Sequence, residues 1–206
     1  MLKLYYAPGT ISIAVAIALE EAGLPYEAIK VDFATAAQTK PAYLAINPKG
    51  RVPALVTQAG TVLTETGALL EYIAARVPDA RLMPSDPEEA THMRSVMFYM
   101  ASTMHVAHAH KMRGSRWADQ QSSWEDMTAK VPQTMAACAD FVQSDCLRGD
   151  FVMGEAFSVA DAYAFMVCNW MEGDGVPASN YPKIGNFLAT MENRDSVKAM
   201  RARGML

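Results

Sequence analysis

The sequence predicts two domains of different class: a compact α/β domain over residues 1–79 and an all-helical domain over residues 87–206, joined by a linker at residues 80–86. Before residue 80, short β-like runs alternate with helical patterns. Beyond it, valine, isoleucine and threonine become sparse and helical periodicity continues to the end of the chain. The stretch between them, "VPDARLMPSDPEE", carries three prolines, which is typical of a connection.

The first domain opens with a strand, a helix and a second strand. The apolar and aromatic run Lys3–Tyr6 predicts a strand, and an alanine-rich pattern from about Ser12 to Ala22 predicts a helix that Gly23 and Pro25 terminate. The run "YEAIKVDF" then alternates as a second strand should. A strand, a crossover helix and a strand of these lengths form a βαβ unit, whose strands are parallel.

The rest of this domain adds a hairpin and a helix. A short helical piece is expected near residues 42–45, and "VPALVTQAGTVLTE" predicts two strands joined by a turn that contains Gly60. A helix follows from about Thr66 to Arg76 and stops near Pro78. This order of elements within 80 residues matches a thioredoxin-like layout.

The second domain is predicted to consist of helices with recognisable starts. Asp86 is a good N-cap, followed by proline at the first helical position, and this helix is expected to run to Gly114. A second helical region over residues 119–147 contains Pro132, which should kink or split it. Ser158 and Asp161 have capping-box spacing before an apolar run. Further helices are expected from Pro182 and from about Asp195.

Composition excludes several classes of protein. The net charge of −4 comes without a basic cluster, which argues against nucleic-acid binding. No segment reaches the roughly 18 apolar residues that a membrane span needs, so a cytoplasmic protein is expected. The three cysteines, Cys138, Cys146 and Cys168, have no CxxC spacing and are expected to be reduced and structural.

The tight turn "PGTIS" between the first strand and the first helix raises a chemical question. A helix N-terminus has unpaired N–H groups and a partial positive charge, so it stabilises an anion. The small hydroxyls of Thr10 and Ser12 lie at this junction. The turn is therefore predicted to hold an anion.

Four motifs in the right order resemble the cytosolic glutathione S-transferases, and the bacterial beta-class-like enzymes most closely. They are "LYYAPG…S" at the first turn, "NPKGRVPAL" at residues 47–55, "TET" at residues 64–66 and "FSVADAYAF" at residues 157–165. The resemblance covers nearly the whole chain. It implies a thioredoxin-like domain followed by a helical domain, glutathione as co-substrate, no metal, and a homodimer.

The resemblance also implies how glutathione is held. The Val52–Pro53 bond would be cis, and the N–H and C=O groups of Val52 would pair with the cysteinyl backbone. Thr66 would hold the γ-glutamyl carboxylate at a helix start, and Glu65 would accept the ammonium group. Candidates for the glycine carboxylate are the cations Lys40, Lys49 and Arg51, of which Arg51 is best placed.

The anion at the first turn would then be the glutathione thiolate. Beta-class enzymes carry a cysteine where this chain has Ile11, so cysteine-dependent redox chemistry at this position is excluded. We expect Ser12 to donate a hydrogen bond to the sulfur. Tyr6 and Thr10 are the other hydroxyl candidates, and the backbone N–H groups with the helix dipole are a further source of stabilisation.

An apolar co-substrate pocket is expected from residues of the long helix and the loop after it: Tyr99, Met104, His105, Met112 and Trp117. Phe98 falls where beta-class enzymes often have asparagine. His105 and His108 share a helix face, but no third ligand joins them, so no metal site is predicted. Asp161 is expected to satisfy N–H groups at a helix start and to serve folding.

The predicted activity is conjugation of the glutathione thiolate to apolar electrophiles, an EC 2.5.1.18 type of reaction associated with detoxification. Two alternatives remain open. The first is another glutathione-dependent enzyme, namely a peroxidase, an ether-cleaving enzyme, a dehalogenase or an isomerase. The second is a non-catalytic transferase-like protein that binds apolar ligands.

Overall fold

The structure is a computed structural model that describes all residues from Met1 to Leu206. The chain forms two compact units: one contains residues 1–85 together with 192–206, and the other contains residues 86–191. The division predicted from the sequence placed residues 192–206 in the helical domain, whereas the fold groups this segment with the first unit.

The first unit contains a four-stranded sheet and the helices that cover it. Its elements are β1 (Leu2–Tyr6), α1 (Ser12–Glu21), β2 (Tyr26–Lys30), α2 (Pro41–Leu44), β3 (Ala54–Val56), β4 (Val62–Thr64) and α3 (Thr66–Arg76). The sheet order is β2-β1-β3-β4. β1 and β2 are parallel, while β3 is antiparallel to both β1 and β4. The predicted βαβ unit, hairpin and thioredoxin-like layout are therefore confirmed.

Helix α1 forms the centre of this unit. Its residues Ser12–Leu19 are all buried, and it packs against α3. A helix that is apolar on every side is stable only when it is enclosed on every side. The alanines of α1 allow this enclosure, because their small side chains let neighbouring elements approach closely.

The second unit is helical throughout. It contains α4 (Pro87–Tyr99), α5 (His105–Ala109), α6 (Gln121–Phe141), α7 (Val159–Asn169) and α8 (Pro182–Glu192), whose last residue groups with the first unit. Asp86 caps α4 by accepting hydrogen bonds from the N–H groups of Glu88 and Glu89, each at 3.0 Å. A π-helical segment, Met100–Met104, connects α4 to α5, so the predicted long helix is continuous as far as Ala109 but ends before the predicted Gly114, which begins a separate 3-10 turn.

Pro132 does not split its helix. It lies inside the 21-residue α6, which continues into a π-helical turn at Val142–Cys146. The carbonyl that loses its N–H partner belongs to Thr128, an exposed residue.

The start of α7 is fixed as the capping-box spacing predicts. The Asp161 carboxylate, fully buried, accepts hydrogen bonds from the N–H groups of Ser158 and Val152, both at 2.7 Å. Asp161 therefore satisfies buried backbone donors at the start of a helix, as predicted.

The last helix, α9 (Asp195–Ala202), packs against α1. The three cysteines are free and buried. No helix combines the length and the apolar character that crossing a bilayer requires. The chain also contains no group of three or more histidine, cysteine or acidic side chains arranged to hold a metal ion.

Candidate active site

The turn between β1 and α1 contains a compact network of hydrogen bonds. The Ala7 N–H donates to Ser12 Oγ at 3.1 Å, and Ser12 Oγ lies 2.7 Å from Thr10 Oγ1. Thr10 Oγ1 also donates to the Ala7 carbonyl at 2.8 Å. The two hydroxyls are thus bonded to each other and to the backbone of the residue that follows β1.

The two hydroxyls differ in their access to a ligand. Ser12 has 0% of its surface exposed and is the first residue of α1 rather than its N-cap. Thr10 is only partly buried. Ser12, the predicted thiolate donor, is therefore inaccessible to solvent, whereas Thr10, to which it is hydrogen-bonded, is partly accessible. Tyr6, the third hydroxyl candidate, is partly buried at the end of β1.

The loop before β3 contains one residue, Val52, whose backbone N–H and C=O are both unpaired. The Val52–Pro53 bond is cis, as predicted. On one side, the Arg51 carbonyl is fixed by Tyr43 Oη at 2.7 Å and Asn47 Nδ2 at 2.6 Å. The backbone N–H and C=O of Val52 form no hydrogen bond within the chain.

Burial raises the pKa of the Tyr43 phenol to about 12. The hydroxyl therefore keeps its proton at any physiological pH and remains a donor to the Arg51 carbonyl. This bond holds the loop beside Val52 in one position.

Glu65 and Thr66 lie at the start of α3. Glu65 has a φ of 72°, which is rare for a residue other than glycine, and its carbonyl accepts the Leu69 N–H at 2.9 Å. Its carboxylate is exposed. Thr66 is 7% exposed, and its N–H belongs to the first turn of α3, where the helix offers no internal acceptor. The pair therefore combines an accessible acid with free helix-end donors.

The candidate cations differ in their surroundings. Lys49 Nζ contacts the Glu65 carboxylate and also donates to Thr64 Oγ1 at 2.9 Å. Lys40 and Arg51 are exposed. In this structure Lys49 therefore lies beside the predicted ammonium acceptor, and the other two remain the candidates for a carboxylate.

The strand register brings these groups to one edge of the sheet. Ala54 pairs with both Tyr5 of β1 and Thr64 of β4. Because β3 is antiparallel to both neighbours, the segment that precedes β3 and the segments that follow β1 and β4 leave the sheet at the same end. Ala7 and Val52 do share one buried cluster. The turn, the cis-proline loop and the start of α3 thus converge.

The five residues predicted to line an apolar pocket occupy different environments in the second unit. The Tyr99 ring packs at a tilt of 48° against Phe141 with 4.5 Å between ring centres, and Met104 is fully buried. Met112 is 87% exposed and Trp117 47% exposed. His105 lies edge-on to Trp170 at 5.0 Å. The pocket itself stays a prediction.

Sequence reasoning missed a polar cluster around Asp174. His108 Nδ1 lies 2.7 Å from Asp174 Oδ2, and Lys111 Nζ lies 3.4 Å from Asp174 Oδ1. The His108 ring stacks on Trp170 at 4.3 Å. Because 66 residues separate His108 from Asp174, no local pattern in the sequence indicates the pairing.

The fold and the sequence both have close relatives. A sequence model of the glutathione S-transferase N-terminal domain matches residues 1–75. The crystal structure of a glutathione transferase homologue from Sulfitobacter, with bound glutathione, has a TM-score of 0.99 and 68% identity over 100% of this chain and 99% of that chain.

Two curated proteins extend the comparison. Glutathione S-transferase GstA from Escherichia coli O157:H7 is 29% identical over 99% of this chain and 100% of its own. Maleylacetoacetate isomerase from Pseudomonas aeruginosa is 31% identical over 89% of this chain and 87% of its own.

A thioredoxin-like unit with a cis-proline loop, followed in sequence by a helical unit, defines the architecture of a glutathione transferase. This architecture and the similarities to known proteins together show that the chain belongs to the glutathione S-transferase family.

Proposed function

We propose that this protein binds glutathione and conjugates its thiolate to apolar electrophiles. The observation that carries the proposal is the convergence of Val52, Thr66 and Glu65 at one sheet edge, with the Val52 peptide groups unpaired. A γ-glutamyl tripeptide needs a backbone partner, an anion site and a cation acceptor. The Sulfitobacter homologue, solved with glutathione, supports the assignment.

In the proposed complex, the Val52 N–H and C=O pair with the cysteinyl residue as an added strand would. The α-carboxylate of the γ-glutamyl group binds the N–H and hydroxyl of Thr66, where the dipole of α3 favours negative charge. Glu65 accepts the ammonium group in place of Lys49. Arg51 and Lys40 supply positive charge for the glycine carboxylate.

Thr10 is proposed to be the group that contacts the sulfur, because Ser12 is enclosed. On glutathione binding, the Thr10 hydroxyl rotates so that it donates to the thiolate instead of to the Ala7 carbonyl. The Ser12 hydroxyl then donates to Thr10 Oγ1. The chain of donors then runs from the Ala7 N–H through Ser12 and Thr10 to sulfur. Hydrogen bonds in such a series polarise one another and strengthen the last one.

The reaction is a nucleophilic substitution or addition. In both cases a thiolate electron pair forms the sulfur–carbon bond. In a substitution the leaving group departs with the electron pair of the bond that breaks. In an addition the displaced π electrons move to the neighbouring atom of the electrophile, which takes up a proton from water. Stabilising the thiolate at neutral pH is the contribution of the turn. The protein is proposed to do this as a homodimer, which sedimentation equilibrium would detect as a mass twice 22.4 kDa.

A second candidate activity is isomerisation, which the 31% identical maleylacetoacetate isomerase supports. In that case the same thiolate would add to an unsaturated substrate and leave again. The two activities differ in stoichiometry, because conjugation consumes glutathione and isomerisation does not.

Isothermal titration calorimetry with glutathione tests the proposal, followed by an electrophile screen on the same preparation. We expect saturable binding of one glutathione per chain and consumption of glutathione with at least one electrophile. Absence of binding at millimolar glutathione would refute the proposal. Binding without turnover would favour the ligand-binding alternative.

A further inference from the structure

Two sets of charged hydrogen bonds connect the carboxyl-terminal segment, residues 192–206, to helix α1. The Glu21 carboxylate accepts from Arg194 Nε and Nη2, at 2.7 and 2.6 Å, and from Ser196 Oγ at 2.5 Å. Arg203 Nη1 donates to Glu20 Oε1 at 2.6 Å and to Tyr26 Oη at 3.0 Å. Bidentate pairs between arginine and carboxylate fix geometry as well as supplying energy.

Beyond α9, the chain end reaches the turn that carries Thr10. Met205 is 1% exposed, and its carbonyl accepts the Gly9 N–H at 2.9 Å. Gly9 itself is exposed and has a φ of 66°, a conformation that glycine adopts without strain. The turn is therefore held from two sides, by Ser12 within it and by Met205 from the far end of the sequence.

We propose that residues 203–205 are a positioning element of the glutathione site, which sets the Thr10 hydroxyl against the sulfur by holding the Gly9 N–H. This inference rests on the proposed function. Pro8 and Gly9 are exposed, so packing contributes little to the position of these two residues, whereas Ala7 and Ile11 on either side of them are buried. Catalytic geometry is sensitive to displacements of about 1 Å, which can cost about a hundredfold in rate.

A pair of matched glycine substitutions tests this role. Gly204 has a φ of 63° and Gly23 a φ of 61°, and a side chain at either position would meet nothing within 4 Å. Valine strains the backbone equally at both positions. Gly204→Val displaces the Met205 carbonyl, whereas Gly23→Val strains the end of α1, away from the turn.

Ultraviolet difference titration of bound glutathione gives the decisive measurement. We expect Gly204→Val to raise the pKa of the bound thiol by about one unit, which corresponds to about a tenfold smaller thiolate fraction near neutral pH. Gly23→Val should lose a similar amount of thermal stability and leave that pKa unchanged. Glutathione affinity should change by less than about threefold in both, because Val52 and Thr66 hold the peptide.

A truncation that removes Gly204–Leu206 should reproduce the pKa shift, and Leu206→Ala, which keeps the Met205 carbonyl, should not. If both glycine variants bind glutathione with the wild-type thiol pKa, the positioning role is refuted. If wild-type protein binds no glutathione, the proposed function fails first and this inference fails with it. The two failures are therefore distinguishable.

Discussion

Thr10 and Ser12 differ in how a substitution should act on the thiol. Thr10→Val removes the proposed donor and should raise the pKa of bound glutathione by about one unit, since one unit corresponds to 1.36 kcal/mol, close to the value of one hydrogen bond to an anion. Thr10→Ser keeps the hydroxyl and should keep the pKa. The same ultraviolet titration measures both variants.

Ser12→Ala completes this test. It should shift the thiol pKa less than Thr10→Val does and lower the free energy of unfolding by about 1–3 kcal/mol, because the buried Ala7 N–H loses its acceptor. Tyr6→Phe should leave the pKa unchanged. A shift in Tyr6→Phe without one in Thr10→Val would identify the tyrosine as the activating group.

Glu65 should contribute to ligand affinity, but modestly. Its side chain is 66% exposed and already contacts Lys49, which the ligand ammonium must replace. We therefore expect Glu65→Ala to weaken glutathione binding by about 1 kcal/mol, near the upper range for exposed ion pairs. Calorimetry measures the change, and Glu155→Ala, an exposed acid in the second unit, is the control. Equal affinities in all three proteins would remove Glu65 from the site.

At the scale of elements, the start of α7 depends on one carboxylate. Asp161→Ala leaves two buried N–H groups, those of Val152 and Ser158, without an acceptor, and should lower the free energy of unfolding by about 2–4 kcal/mol. Urea unfolding measures this loss, and the exposed Asp150→Ala should show none. The folded Asp161→Ala protein should bind glutathione normally, so a selective loss of binding would contradict the structural role.

The contact between α1 and α9 should depend on pH. Burial alone raises the pKa of the Glu21 carboxyl, but hydrogen bonds from Arg194 and Ser196 outweigh it and hold the pKa below its ordinary value of 4.5. Because the folded-state pKa is the lower one, the pairing stabilises the fold above about pH 4.5 and is lost as the pH falls through the folded value.

Glu21→Gln should therefore lower the free energy of unfolding by about 2 kcal/mol at pH 7, and by progressively less as the solution is acidified below pH 4.5. Urea unfolding across this range measures the difference from wild type. Glu27→Gln is the control, because its partner Lys3 lies 3.8 Å away and both side chains are exposed. A loss in Glu21→Gln that stays constant with pH would rule out the ionised pair as its cause.

At the scale of the whole molecule, glutathione should stabilise the fold in proportion to its occupancy. At about 100 times its dissociation constant, the free energy of unfolding should rise by about 2.7 kcal/mol. The dipeptide Cys-Gly at the same concentration should give a much smaller rise, since it lacks the γ-glutamyl group assigned to Glu65 and Thr66. Thermal and urea unfolding both measure this. Equal stabilisation by the two peptides would contradict that assignment.

The sequence predicted features whose causes are local. Gly23 and Pro25 mark the end of α1, alternation marks the strands, and the spacing of Ser158 and Asp161 marks the start of α7. Resemblance supplied the cis bond before Pro53.

The burial of individual side chains and the pairing of residues far apart in the chain could not be predicted from the sequence. Ser12 is the right residue type for a donor, but only the packing of α1 shows that it is enclosed. Arg194 lies 173 residues from Glu21, and nothing in either neighbourhood marks the partner. The carbonyl of Met205 carries no sequence signal at all, because every residue has one.

The position of α9 also bears on how the protein is made. The first unit needs both ends of the chain, since Met205 is buried in it and α9 covers α1. At a synthesis rate of about 5–20 residues per second, residues 86–206 take on the order of ten seconds to emerge. During that time the almost wholly apolar α1 lacks one of its covering helices. The amino-terminal unit, although its sheet is synthesised first, therefore cannot complete its packing until α9 has also been synthesised.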